Sequence, residues 1–327
     1  MFSQYFFFLL KLSTVFIFIF YTMRLKKTRK TVELVNISSV DQYYFRQKVN
    51  IGFHSLNKKE HRLFKKSLKK KMEIDKKSDQ KIVYVIDFFG DVKASQLPGL
   101  IEEVNTILLM SKRNCIHQVV ICLESSGGTV NGYGLATDQI LRLKKMGIKT
   151  VVCVDKVAAS GGYMMASAAD QIFSSPFAIL GSIGVVSETP NVNKLLDKLG
   201  INVELHTAGD YKRTLTILGK NTDQAREKVK DNLNRVHSLF KKRVQDSRPS
   251  LNLEAIANGD YWFGEEALNL KLVDGLLTSD EYLLDLYCNS PHRILKLKSR
   301  KQLSDCNMNL RKFYYGIFSI FKRIFPG

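Results

Sequence analysis

The stretch KIVYVIDFFGDVKASQLPGLIEEVNTILLMSKRNCIHQVVICLESSGGTVNGYGLATDQILRLKKMGIKTVVCVDK (81–156) carries the pattern that decides the fold. Three β-branched runs stand in it: KIVYVIDF (81–88), HQVVICLES (117–125) and KTVVCVDK (149–156). Between them lie two segments of helical period, LPGLIEEVNTILLMSK (97–112) and NGYGLATDQILRLKKMG (131–147), the second stopped by Gly147. Strands that are apolar on both faces, alternating with helices, predict a parallel sheet covered on both sides. Outward from there, SGGYMMASAA (160–169) reads as a helix after a glycine pair. QIFSSP (171–176) and NVELHTA (202–208) read as further strands, and 222–247 as a long charged helix. The whole is one α/β domain, set at 82–290.

Two glycine-rich strand exits hold the candidate chemistry. They are ESSGGTVNGYG (124–134) and VAASGGYMMA (157–166). In a parallel sheet both lie at the carboxyl ends of strands, where sites are built. A glycine pair there lets a ligand approach backbone N–H groups, since no Cβ stands in the way. Ser160 is the first polar residue of the second exit. It reads either as a nucleophile beside such amides or simply as the N-cap of the following helix. A serine nucleophile needs a base. The histidines at 54, 61, 117, 206, 237 and 292 show no metal spacing, and nothing ties His117 or His206 to a serine. There is no P-loop and no G-x-S-x-G elbow. A lysine is then the candidate base, with Lys212 and Lys220 in AGDYKRTLTILGK (208–220) both open at this point, and so is a lysine merely exposed on a loop.

The long motifs VAASGGYMMASAADQIFSSPFAILGSIGVV (157–186) and ELHTAGDYKRTLTILGKNT (204–222) resemble the SohB-type membrane proteases of the signal peptide peptidase A family, which are Ser/Lys serine peptidases. The resemblance runs from about residue 82 to 285. It implies a Clp–crotonase-like fold and hydrolysis of peptide bonds by a Ser/Lys dyad. It implies Ser160 as nucleophile, Lys212 as general base and Ser182 as the residue that orients the lysine. It implies Gly127 and Gly161 as oxyanion donors, no metal or organic cofactor, and a homo-oligomeric ring in which the serine of one protomer meets the lysine of the next. One departure stands in the first exit: Ser126 occupies the place of a proline in the family's S-P-G-G, and a proline would have fixed φ there. A lysine base works only when neutral. From a reference pKa of about 10.4, burial can lower lysine by as much as ~3–5 units, so a covered cleft is expected.

The flanks differ in character from this domain. FFFLLKLSTVFIFIFYTM (Phe6–Met23) is the length of a membrane span and lacks both a basic n-region and an A-x-A cleavage site, so residues 1–25 read as a retained anchor. Lys11 near its end can snorkel. Residues 26–81 read as a basic stalk, with 57–81 a solvated helix or disordered tether touching the membrane surface at most. Residues 291–327 read as a basic tail whose Leu310, Phe313, Tyr314, Ile317, Phe318, Phe321, Ile324 and Phe325 form one face of an amphipathic helix. The net charge of +19 resolves into +1 from Lys11, +12 over 24–81, −2 over 82–291 and +8 over 292–327. Excess charge confined to flanks beside apolar, aromatic segments suits an anionic membrane surface better than a nucleic-acid groove, and a lysine-rich compositional bias is the third reading. The basic residues after the span place the domain in the cytoplasm by the positive-inside rule, while the family resemblance places it in the periplasm. Five scattered cysteines without C-x-x-C argue against disulfides and a zinc site. Two other classes remain: a catalytically quiet scaffold of this fold, and a crotonase-type acyl-CoA enzyme, which suits the fold but not the Ser/Lys pair.

Overall fold

The computed structural model describes residues 35–77, 81–111, 116–209, 211–289 and 292–299. The expected anchor and the amphipathic tail lie outside these residues. Among the described residues no helix is long and apolar enough to cross a membrane.

The three β-branched runs fold as strands β2 (Ile82–Gly90), β3 (Ile116–Ser125) and β4 (Lys149–Val154). The chain before them forms β1 (Asn36–Ser39), α1 (Val40–Ser55) and α2 (Lys58–Lys77). The helices between the strands are α3 (Leu97–Ser111) and α4 (Val130–Lys145). Gly147 ends α4 in the left-handed region at φ +70°, its N–H donating to Lys144 O at 2.8 Å. After β4 come β5 (Val157–Ala159), α5 (Gly161–Ser167), β6 (Gln171–Ser174) and β7 (Ile179–Gly181). The chain continues through α6 (Asn193–Lys198), α7 (Asp223–Ser247), α8 (Leu253–Ile256), β8 (Tyr261–Phe263) and α9 (Gly264–Asn269). It closes with β9 (Gly275–Leu276), α10 (Ser279–Asn289) and β10 (Arg293–Lys298).

The main sheet runs β1-β10-β2-β3-β4-β6-β9, and β5 branches from β3 to carry β7 and then β8. Every pair is parallel except β1–β10 and β7–β8. This is the expected largely parallel α/β sheet. β2 shows why both faces are covered: Tyr84, Ile86 and Phe88 pack into the core under α3 and α4, while Val83 and Val85 join Val120, Val151 and Leu283 on the other side. Alternate residues on a strand point to opposite faces, so both sets must be apolar. Burying these side chains fully is worth roughly 1.5–3 kcal/mol each. Cys122 and Cys153 face one another across β3–β4 as free thiols, and burial pushes Cys122 up to about 12.

Three expectations are corrected. NVELHTA (202–208) is not a strand, and most of it is exposed. Its β propensity finds no neighbouring strand within the described chain, and a lone strand leaves its N–H and C=O groups unpaired. The stalk assignment fails for residues 36–55: β1 pairs with β10, and α1 packs on the domain, with Tyr44 and Tyr287 ring centroids 5.4 Å apart. The domain limit at 290 is likewise too short, because RILKLK (293–298) enters the sheet between β1 and β2. Residues 58–77, expected as a solvated helix or a tether, are helical.

Candidate active site

The two glycine-rich exits meet. Ser125, the last residue of β3, pairs with Ala158 in β5, so both exits leave the sheet side by side. A third exit joins them: Ala159 pairs with Gly181 in β7, which places Ser160 and Ser182 next to each other just past the strand ends. The Ser160 N–H donates to Gly181 O at 2.8 Å, and the Ser182 N–H donates to Asp260 O at 2.7 Å.

Ser160 sits at φ +53°, ψ −121°, and Ser182 at φ +50°. Non-glycine residues in such regions cost about 1–3 kcal/mol each and persist only where the surroundings enforce them. At Ser160 the enforcement comes from the bond to Gly181 O and from α5, whose Met164 N–H donates to Ser160 O at 3.0 Å. The simple N-cap reading fails: Ser160 stands at the N-cap position of α5, yet its side chain accepts no cap hydrogen bond. The hydroxyl is left for other work.

The glycine turn before α4 is held by a relay. The Gly127 N–H donates to Ser125 Oγ (3.1 Å), Ser125 Oγ and Tyr133 Oη lie 2.6 Å apart, and Tyr133 Oη donates to Asp91 O (2.8 Å). Since the tyrosine proton goes to Asp91, the Ser125 proton goes to Tyr133. Burial raises the Tyr133 hydroxyl above its usual range, which keeps it a donor. The neighbouring glycines are forced by close approach. A Cβ on Gly161 would lie 2.5 Å from the Tyr133 ring, and one on Gly162 would lie 2.5 Å from Ser125 O. Gly127, at φ +93°, would bring a Cβ 2.6 Å from Ser160 Cβ.

Ser160, Gly161 and Ser182 line a cleft of about 1020 Å³. Gly127 is buried against Ser160 with its N–H already given to Ser125, and it is Gly128 that lines the cleft. Ser126 is exposed. The walls are apolar through Val92, Val130, Met164, Leu233 and Phe240, the last two from α7. His237 of α7 also lines the cleft, its Nε2–H donating to Ile183 O at 3.1 Å. That bond steadies the turn carrying Ser182. Its only sequence signal is membership in a long helix, and the Ser125–Tyr133 relay has no local signal either. His117 lies away from the cleft, its ring stacked on His292 at 4.1 Å. His206 is exposed and faces Glu204 at 3.5 Å.

Lys212 is not brought to the cleft. It is exposed, in a turn closed by its N–H on Gly209 O at 3.1 Å, and Lys220 is exposed as well. Lys212 belongs to an excursion between β7 and α7 whose two ends are tied together. Val192 N–H donates to Ile217 O, and Asn191 Nδ2 donates to Thr216 O and Gly219 O. The excursion exposes Val186 (89%), Leu195, Leu199, Ile201, Leu205, Tyr211, Ile217 and Leu218. So dense an exposed apolar set is the character of an interaction surface.

A seryl hydroxyl free at the mouth of an apolar cleft, with backbone amides of a helix start and a glycine turn beside it, is an arrangement that acyl transfer can use. Two family models match the chain: Peptidase family S49 over residues 142–287, and Peptidase family S49 N-terminal over residues 1–140. Probable protease SohB of Buchnera aphidicola subsp. Schlechtendalia chinensis is 44% identical over 285 residues, which are 83% of this chain and 92% of that one. Probable protease SohB of Buchnera aphidicola subsp. Acyrthosiphon pisum is 54% identical over 208 residues, 64% of this chain and 61% of its own length. Among solved structures, a mutant of the 1510-N membrane-bound stomatin-specific protease aligns at a TM-score of 0.39 with 14% identity, over 63% of this chain and 84% of its own. The chain belongs to peptidase family S49. It is a serine peptidase.

Proposed function

We propose that this chain is a membrane-anchored serine endopeptidase of Clp–crotonase-like fold that cuts unfolded or membrane-derived peptides with Ser160 and Lys212. The observation that carries the reading is Ser160 itself, strained at φ +53° with its hydroxyl unused by the helix it caps, at the mouth of an apolar cleft. In the proposed reaction Lys212 Nζ takes the Ser160 proton as Oγ attacks the scissile carbonyl carbon. The carbonyl oxygen gathers negative charge and is met by Gly161 N–H and by the 127–128 turn, with Gly128 as the cleft-facing member. The C–N bond breaks as Lys212 returns the proton to the leaving amine. Water then hydrolyses the acyl-Ser160 ester by the same steps. Ser182 orients the lysine.

The exposure of Lys212 supports a dyad shared between copies. A second copy laid on the 185–221 excursion would cover its apolar side chains and give 202–208 the strand partner it lacks. It would also take Lys212 out of water, as a lysine base requires. A ring of such copies meets these needs. The same exposure favours the quiet-scaffold reading if no copy supplies the lysine. Co-assembling Ser160→Ala with Lys212→Ala chains separates the two. Partial recovery of peptide hydrolysis in mixed assemblies supports the shared dyad. Mixed assemblies that stay inactive while wild type cleaves would refute sharing, and a wild type that fails to label with a fluorophosphonate would refute the peptidase mechanism. The anchor at 1–25 places the enzyme in the cell inner membrane. The periplasmic and cytoplasmic assignments are separated by protease access to the domain in intact spheroplasts.

A further inference from the structure

The α1–α2 hairpin is a built corner. Asn57 caps α2, accepting from Lys59 N–H (3.1 Å) and Glu60 N–H (3.0 Å), while Glu60 Oε2 accepts the Asn57 N–H (3.0 Å). Gly52 is buried because the Phe64 ring lies on it; a Cβ there would come within 2.4 Å of Phe64 Cε1. His61 Nε2–H donates to Phe53 O at 3.2 Å, and Lys65 Nζ stands 5.7 Å from the Phe53 ring centre. The corner is held in shape by these contacts, yet it exposes Ile51 (64%), Phe53 (44%) and Leu63 (67%).

A one-signed stripe borders these side chains. Lys59, Arg62, Lys66 and Lys69 recur at steps of three, four and three along α2, with Lys65 beside them, and all are exposed. Among the described residues none of them is ion-paired. Like charges at i, i+4, as in Arg62–Lys66 and Lys65–Lys69, weaken a helix by about 0.2–0.5 kcal/mol per pair. Among the described residues no carboxylate pairs with the stripe, and an anionic surface outside the chain would relieve this unfavourable arrangement.

We infer that the corner of the α1–α2 hairpin docks on an anionic bilayer surface, with Arg62, Lys65, Lys66 and Lys69 at the headgroups and Ile51, Phe53 and Leu63 below them. Exposed apolar side chains close to cations, as Phe53 is to Lys65, fit a lipid interface, which takes both. A nucleic-acid backbone would meet the cations and leave the apolar residues wet. The inference rests neither on the peptidase mechanism nor on the anchor.

The test uses the full chain with Ile51→Trp, read against the parent chain with its single Trp262, on nanodiscs containing brominated lipid. Quenching of the new tryptophan is expected to be at least about threefold stronger with roughly 30% phosphatidylglycerol than with phosphatidylcholine alone. Arg62→Gln, Lys65→Gln, Lys66→Gln and Lys69→Gln together keep helix formers in place and should remove that difference. Peptide hydrolysis should be unchanged in the same variant, which keeps this test apart from that of the dyad. Equal quenching on both lipids, or none on either, overturns the inference. So does a DNA duplex that strips the protein from anionic discs at equal phosphate concentration, which would assign the stripe to nucleic acid.

Discussion

Glu103→Gln should make the protein more stable at pH 8 and leave it nearly unchanged at pH 5. Glu103 lies on α3 and is completely buried. Its Oε1 accepts the Ser299 N–H at 2.7 Å, while its Oε2 has no hydrogen-bond partner. Burial lifts its carboxyl from the ordinary 4.5 to about 7; the Ser299 N–H pulls the other way, and nearby Asp87 and Glu102 add to the rise. The folded state therefore binds this proton more tightly than the unfolded chain. Stability from this group is full below pH 4.5 and falls as pH climbs to about 7, above which the charge must be carried inside. Each tenfold in proton affinity is ~1.36 kcal/mol, so the full effect is about 3 kcal/mol. For a domain of this size that corresponds to roughly 6–12 °C in Tm. Glutamine keeps the carbonyl that accepts from Ser299 and carries no charge. Thermal unfolding of both chains, followed by fluorescence from pH 5 to 8.5, gives the difference curve directly. Parallel curves would refute the assignment, because they would mean that Glu103 has the same proton affinity folded and unfolded.

The site makes its own demands. Ser160→Ala and Lys212→Ala should each abolish hydrolysis of a peptide substrate with stability changed by no more than about 1 kcal/mol, and Lys212→Arg should be equally inactive, since arginine does not give up its proton. Gly127→Ala, at φ +93° and 2.6 Å from Ser160 Cβ, should reduce turnover at least about 100-fold by moving the nucleophile. Gly134→Ala meets open space within α4 and should raise stability by up to ~1 kcal/mol, read as a higher Tm. Burial holds the stacked His117 and His292 below the usual imidazole range, and Lys81 adds to this for both. Their stabilisation is present above pH 6.5 and fades as pH falls below it, so His292→Phe should flatten the acid limb of the Tm profile.

The middle of the fold was legible because β2, β3 and β4 are buried on both faces and had to be β-branched runs. β10 was not: RILKLK carries three cations in six residues and reads as part of a basic tail until β2 and β1 are seen on either side of it. NVELHTA misled for the opposite reason, having strand chemistry without a strand beside it. At the site, Ser160 stood out by its small flanking residues, but whether it capped a helix or faced a cleft depended on a backbone angle that residue types leave open. The relay to Asp91 crosses 42 positions from Tyr133, and no local spacing encodes that. The residues offered Lys212 and Lys220 alike, and only the motif resemblance prefers Lys212, which is exposed in the single chain.

The place of β10 has a bearing on how this protein is made. Strand β2 leaves the ribosome about two hundred residues ahead of the neighbour that completes it, and β1 waits longer still, since among the described residues β10 is its partner. Throughout that interval a nascent chain carries an apolar strand edge open to any other nascent chain on the same message. A truncation before residue 293 would make that state permanent, so a shortened product should be recovered as aggregate.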